Sequence, residues 1–308
     1  MPLPEIFNRW TCLDKREPSV TARHFKKRRN LVKLLGVEFL LVVRNLQGSF
    51  SPARFSRHCS CMATALRVAQ RSGRHYKIDG YERLFPSVTT VLGVINKPAL
   101  VSWSNKVTLS AVRREILSLQ HPSSNPRDWL DPVLERAGGQ HKEILRNAGD
   151  FGTRAHAAFD SIITGVPAHV STDDDALETV VNGFRAWHAS SDLQLQGDTT
   201  VFSEKYGYAG AMDSLGVARD DDSLAVVDFK TSNGIYETHI LQVAAYAKAY
   251  EEMHGTPVSR AMIVRFDKKQ PTFEVQQLVD IDASFRAFQA ALFLWRTLNT
   301  GVAPTQAA

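Results

Sequence analysis

The tightest constraint on this sequence is a change of hydrophobic period near Asp192. Upstream, Leu177, Val180, Val181, Phe184 and Trp187 recur at three- and four-residue intervals, the stripe of an amphipathic helix over residues 177–189. Downstream the period falls to two, and residues 195–206, 211–219 and 224–229 read as three successive strands. Asp220, Asp221 and Asp222 join the second strand to the third as a solvated hairpin tip. A helix follows over 236–253, stopped by Gly255 and Pro257. Two more strands (261–266 and 273–278) and an amphipathic helix (283–298) complete the pattern. Such an order predicts an α/β domain with a helical N-terminal lobe.

The region before this sheet reads as mostly helical. A short strand–turn–strand spans 76–83, and Ser87 is placed to N-cap a short helix reaching residue 95. Leu100, Trp103, Val107 and Ala111 form one stripe of a helix over 98–119. Trp103 suits core packing and base stacking equally well. Beyond a Pro/Ser/Asn loop at 121–127, helices are expected over 129–137, 140–148 and 152–163, with Gly138, Gly139 and Gly149 between them. The expected organisation is therefore an N-terminal extension (1–74) and a folded body (75–308), with a helical lobe over 75–175 and the sheet core over 176–308.

Charge is unevenly distributed. Residues 1–75 carry 15 Lys/Arg against 4 Asp/Glu, a net of +11; residues 76–308 carry 22 against 28, a net of −6. The basic pI near 9.1 thus belongs to the N-terminal quarter, and any grip of the body on nucleic acid needs a local patch or bound cations. The extension is basic, Ser-rich, poor in acids and without a sustained period, and it reads as a disordered targeting segment for an organelle, mitochondrion or plastid. The basic run 26–29 leaves a nuclear or nucleic-acid patch open, and Met62 offers a second start beside Met1. The most apolar stretch, 31–43, is short and interrupted by Lys33 and Glu38, so no membrane span is expected. Cys12, Cys59 and Cys61 all lie in the extension, which leaves the body without a disulfide framework or an iron–sulfur cluster; no His/Cys pair follows Cys59 and Cys61 at ligand spacing.

Two carboxylates and a lysine stand where strand ends meet. Asp213 lies near the start of the second strand; Asp228 and Lys230 end the third, two residues apart and so on one face. Charged groups at the end of an apolar strand are costly to bury unless they serve a site. Carboxylates hold hard divalent cations, and a lysine offsets developing negative charge, the requirements of phosphodiester hydrolysis.

These segments, taken in order, resemble the PD-(D/E)XK nuclease superfamily. The likeness lies with the RecB-like exonuclease branch, and within it with the mitochondrial genome maintenance exonucleases. Phe85-Pro86-Ser87-Val88-Thr89 with Trp103 resembles an opening block, and Gly152-Thr153-Arg154-Ala155-His156 a G-x-x-x-H helix. Glu204, Gly210 and Asp213 resemble a first strand block, Asp228-Phe229-Lys230-Thr231-Ser232 the D-x-K-T-S core, and Gln242 with Tyr246 the Q-x-x-x-Y helix. Ala211-Met212 departs from the small polar and β-branched pair common before that aspartate. The resemblance implies a restriction-endonuclease-like core, a mixed central sheet flanked by helices, with a helical N-terminal lobe, and catalytic roles for Asp213, Asp228, Lys230 and Gln242. It implies Mg²⁺ or Mn²⁺ held by His156, Asp213, Asp228 and the Phe229 carbonyl, with Lys230 orienting the attacking water. Arg154, Ser87, Trp103, Ser232 and Tyr246 would contact nucleic acid, and Glu204 would brace Lys230 or a metal-bound water. The implied substrate is single-stranded or flapped DNA, cut by a monomer. A non-catalytic nucleic-acid-binding protein on a nuclease fold, and a nuclease acting on RNA, stay open beside it.

Overall fold

A computed structural model of the chain describes residues 65–119, 123–167 and 174–299. The expectations placed on residues 1–64, including both candidate starts, the cysteines and the basic run, lie outside the described residues.

The architecture is mixed α/β. Its centre is a five-stranded sheet ordered β10-β9-β8-β7-β4, from β4 (Leu193–Gln196), β7 (Ser214–Ala218), β8 (Leu224–Lys230), β9 (Val258–Phe266) and β10 (Phe273–Gln277). The pair β8–β9 is parallel and the other pairs are antiparallel. A parallel neighbour needs a crossover, and helix α5 (Glu237–His254) supplies it. Every β8 residue but Lys230 is buried, because both faces of the sheet are covered. Leu224 and Val226 pack with α5 and the closing helix α6 (Ile281–Asn299). Ala225, Val227 and Phe229 pack under α3 (Pro126–Thr164) and α4 (Asp175–Ser190), in an aromatic nucleus with Phe159, Phe184, Trp187 and Phe266.

Four expectations need correction. The first strand, β1 (Ala65–Gln70), begins inside the segment read as an extension and pairs along its length with β2 (Gly73–Ile78). With β3 (Leu84–Pro86) these form a second sheet, so the lobe before the central sheet is not purely helical. Ser87 does cap the next helix, α1 (Val88–Val91), by accepting from the Thr90 N–H at 3.0 Å.

The three helices read over 129–163 are one 39-residue helix, α3, running through Pro132, Gly138, Gly139 and Gly149. Each interior glycine costs about 1 kcal/mol relative to alanine and proline about 3. Burial at both ends offsets this: Val133 and Ala137 are buried in the half that runs beside α2 (Pro98–Ser118), and Phe151, Ala155 and Phe159 are buried on the sheet.

The first two strands of the meander are each split. Residues 195–206 divide into β4 and β5 (Thr199–Ser203), and residues 211–219 into β6 (Tyr208–Met212) and β7. Strands β5 and β6 pair as a separate two-stranded ribbon, while β4 and β7 join the central sheet. Asp213 is the residue between β6 and β7, where the chain passes from one sheet to the other. The acidic triplet is the exposed turn expected of it; Asp222 has φ 59° and Asp221 accepts from the Ser223 N–H.

Candidate functional site

The break at Asp213 explains its position. Paired residues of β7 and β8 end at Ser214 and Val227, so the next β8 donor on that edge, the N–H of Phe229, has no strand partner. The Asp213 carboxylate takes it, Oδ2 accepting at 2.8 Å. A strand residue turns its N–H and carbonyl to the same edge, which sets the Phe229 carbonyl on the Asp213 side as well. The other carboxylate oxygen, Oδ1, lies 3.1 Å from His156 Nδ1 on α3. His156 stands one turn from Gly152 and one from Asp160, and all three line one cavity.

Asp228 is wholly buried at the C-terminal end of β8. Lys230 Nζ lies 2.5 Å from its Oδ2 as an ion pair, while Gln242 Nε2 donates to its Oδ1 at 3.2 Å and to the Tyr246 hydroxyl at 3.0 Å. Both oxygens of the buried carboxylate therefore have a partner, Oδ2 the lysine and Oδ1 the amide. Tyr246 packs against β6 at Gly210, where any Cβ would fall 2.4 Å from the ring.

Electrostatics separates the two aspartates. Burial pushes the Asp228 carboxyl up to about 6, with Lys230 opposing and the Asp213 charge adding to the rise. Burial also acts against charge on Asp213, but His156, Lys230 and the Phe229 N–H outweigh it and hold that carboxyl below the usual range. For His156 and Lys230 the desolvation that disfavours their cations is outweighed by the aspartates, and both are raised.

The cavity, of about 440 Å³, is also lined by Arg67, Arg74, Ser87, Thr89, Asp160, Asp198, Asp213, Phe229, Lys230, Gln242 and Tyr246. Among the described residues no three His, Cys, Asp or Glu side chains are drawn together as a metal cluster; His156 and Lys230 lie on the carboxylates. The donor set nevertheless fits a hard divalent cation: two carboxylates, each facing a cationic side chain, beside an imidazole and a backbone carbonyl.

Asp213, Lys230, His156, Phe229 and Gln242 therefore line one cavity with Ser87 and Tyr246, and the wholly buried Asp228 is joined to it through Lys230 and Gln242. Four other candidates are not brought to it. Glu204 is exposed and accepts from the Tyr81 hydroxyl at 2.8 Å, so it does not brace Lys230. Arg154 is bound to Asp174 at 2.7 Å and lies over the Phe151 ring. Trp103 is half-buried on α2, outside the lining. The Ser232 hydroxyl donates to the Gly234 carbonyl, closing its own turn. The lining adds Arg67, Arg74, Asp160 and Asp198, which sequence reasoning missed. Asp160 was detectable as the residue four beyond His156 on one helix face; the arginines were discounted with the basic N-terminal quarter.

No protein-family model matches the chain, and none of the curated proteins does. Solved structures do match, among them one titled crystal structure of SSO0001, 11% identical and covering 62% of this chain and 86% of its own. Its TM-score of 0.31 carries no argument about fold or function. Among the described residues no helix is long and apolar enough to cross a membrane.

Proposed function

We propose that this chain is a divalent-cation-dependent nuclease with a PD-(D/E)XK core, hydrolysing phosphodiester bonds of single-stranded or flapped DNA. The observation that carries the reading is Asp228, a wholly buried carboxylate ion-paired to Lys230 and bonded to Gln242, both of which line one cavity with Asp213 and His156. Burying such a group is costly without a task that repays it.

Asp213, Asp228, the Phe229 carbonyl and His156 would hold Mg²⁺ or Mn²⁺. The cation, when bound, polarises the phosphate and lowers the pKa of water. Lys230, held at the end of β8 by Asp228, carries the positive charge that offsets charge developing on the phosphate and orients the attacking water. Gln242 fixes the Asp228 carboxylate through Oδ1, and Lys230 faces Oδ2. Tyr246 supports Gln242 in turn. Mitochondrial delivery belongs to the same proposal and rests on the composition of the N-terminal segment alone.

The test is release of nucleotides from labelled single-stranded, flapped and duplex DNA by the full chain. Degradation is expected with Mg²⁺ and not with EDTA, and it is expected to be lost in Asp228→Ala and Lys230→Ala. Wild-type rates in either variant would overturn the assignment.

A further inference from the structure

Among the described residues the cavity's two arginines differ from Lys230, Arg154 and Arg265 in making no ion pair, although the Asp198 charge lies near enough to Arg67 to feel it. Lys230 is bound to Asp228, Arg154 to Asp174, and Arg265 to Asp267 and Glu274. Among the described residues neither Arg67 nor Arg74 has a carboxylate within ion-pair distance; Arg67 lies over the Tyr76 ring at 5.9 Å. Both are exposed, and both line the cavity that holds Asp213 and Lys230.

Their carrier is tied into the fold through its backbone. Arg67 and Tyr76 are paired across the β1–β2 ladder. The Arg74 backbone is tied on both sides, its N–H donating to Thr90 Oγ1 at 2.9 Å and its carbonyl accepting from the Ser87 N–H at 2.9 Å and the Thr90 hydroxyl at 3.0 Å. Ser87 bridges to Ala209 on β6, which leads to Asp213. The hairpin is thus coupled through the backbone to the strand that positions the carboxylates. Two exposed guanidinium groups carried on a backbone tied this way, beside an acidic site, suit a ligand that presents several phosphates in a row.

We propose that Arg67 and Arg74 form a phosphate-binding subsite for the strand that enters the cavity, gripping backbone phosphates beside the one at Asp213 and Asp228. The inference rests on the nuclease reading of that site and adds the element that holds its substrate. Because the arginines need no cation to attract phosphate, their contribution persists in EDTA, whereas an anion at the carboxylates requires one.

The experiment measures binding of a fluorescent single-stranded oligonucleotide to the full chain in EDTA across a salt series, with Mg²⁺-dependent cleavage recorded separately. Arg67→Gln with Arg74→Gln is compared with Arg67→Lys with Arg74→Lys. The control is Arg71→Gln, in the same hairpin but lining a different depression. The Gln pair is expected to weaken binding by about tenfold and to flatten the salt slope by about 1.4, near 0.7 for each phosphate no longer neutralised. The Lys pair is expected to keep most of the slope, and Arg71→Gln to match wild type. An unchanged slope in the Gln pair, or an equal loss in Arg71→Gln, overturns the subsite while leaving cleavage by wild type to support the nuclease reading. A wild type that binds through these arginines but cleaves nothing supports the subsite and overturns the nuclease; one that does neither overturns both.

Discussion

The ring of Tyr246 occupies the space a side chain at Gly210 would need: an added Cβ would stand 2.4 Å from Tyr246 Cε1. The absence of a side chain on β6 is what allows α5 to bring Tyr246, and through it Gln242, against the end of β8. Gly210→Ala is therefore expected to displace the ring and to cost about 1–3 kcal/mol, the range for overpacking a core. Denaturant unfolding measures it, and a variant as stable as wild type would show that the ring has somewhere else to go. Tyr246→Phe, which removes only the hydroxyl that Gln242 donates to, is expected to cost about 1 kcal/mol.

Lys230 compensates the buried Asp228 charge. Removing one partner of a buried pair leaves the other uncompensated, so Lys230→Ala is expected to destabilise the fold by about 3 kcal/mol. Adding Asp228→Asn to that variant removes the stranded charge and is expected to recover much of the loss. A double variant no more stable than Lys230→Ala alone would contradict the pairing.

The raised Asp228 pKa has two consequences with a definite sign. The folded chain holds a proton there up to about pH 6, while an unfolded aspartate loses it near 4. Between those values the native state binds more protons, so this group's contribution to stability falls as pH rises from about 4 to about 6 and is level above. A proton also competes with a cation for the same carboxylate. Mg²⁺ affinity, followed by calorimetry, is expected to fall by up to about tenfold per pH unit below about 6. A flat profile down to pH 5 would show that Asp228 takes no part in holding the ion.

Asp174 caps α4, accepting from the Ala176 and Leu177 N–H groups, and also holds Arg154. Asp174→Ala is expected to lower stability by about 1 kcal/mol through the lost cap. Arg154→Ala, in which the cap bonds survive, is expected to cost less, since the ion pair is partly exposed. Thermal unfolding of the two variants compares them; equal losses would place the effect in the ion pair instead of the cap.

Local sequence determined a good deal of this protein. The period change near Asp192 located the helix-to-sheet boundary. The spacing of Asp228 and Lys230 put them on one strand face, and Ser87 marked a helix start that the structure keeps. These features depend on neighbours a few residues apart, which periodicity and capping chemistry report directly. What tertiary structure alone decided was where continuous patterns break and where broken ones continue. The alternation through 211–219 gave no sign that Asp213 is the joint between two sheets, because a strand changing partners keeps its inward–outward pattern. The glycines of α3 looked like stops, yet burial on α2's side and on the sheet outweighs their cost. Arg67 and Arg74 were legible only as charge in a basic quarter. Their place in the cavity follows from the β1–β2–β3 sheet meeting β6 at Ser87 and Ala209, a bridge between residues 122 positions apart that no local pattern encodes.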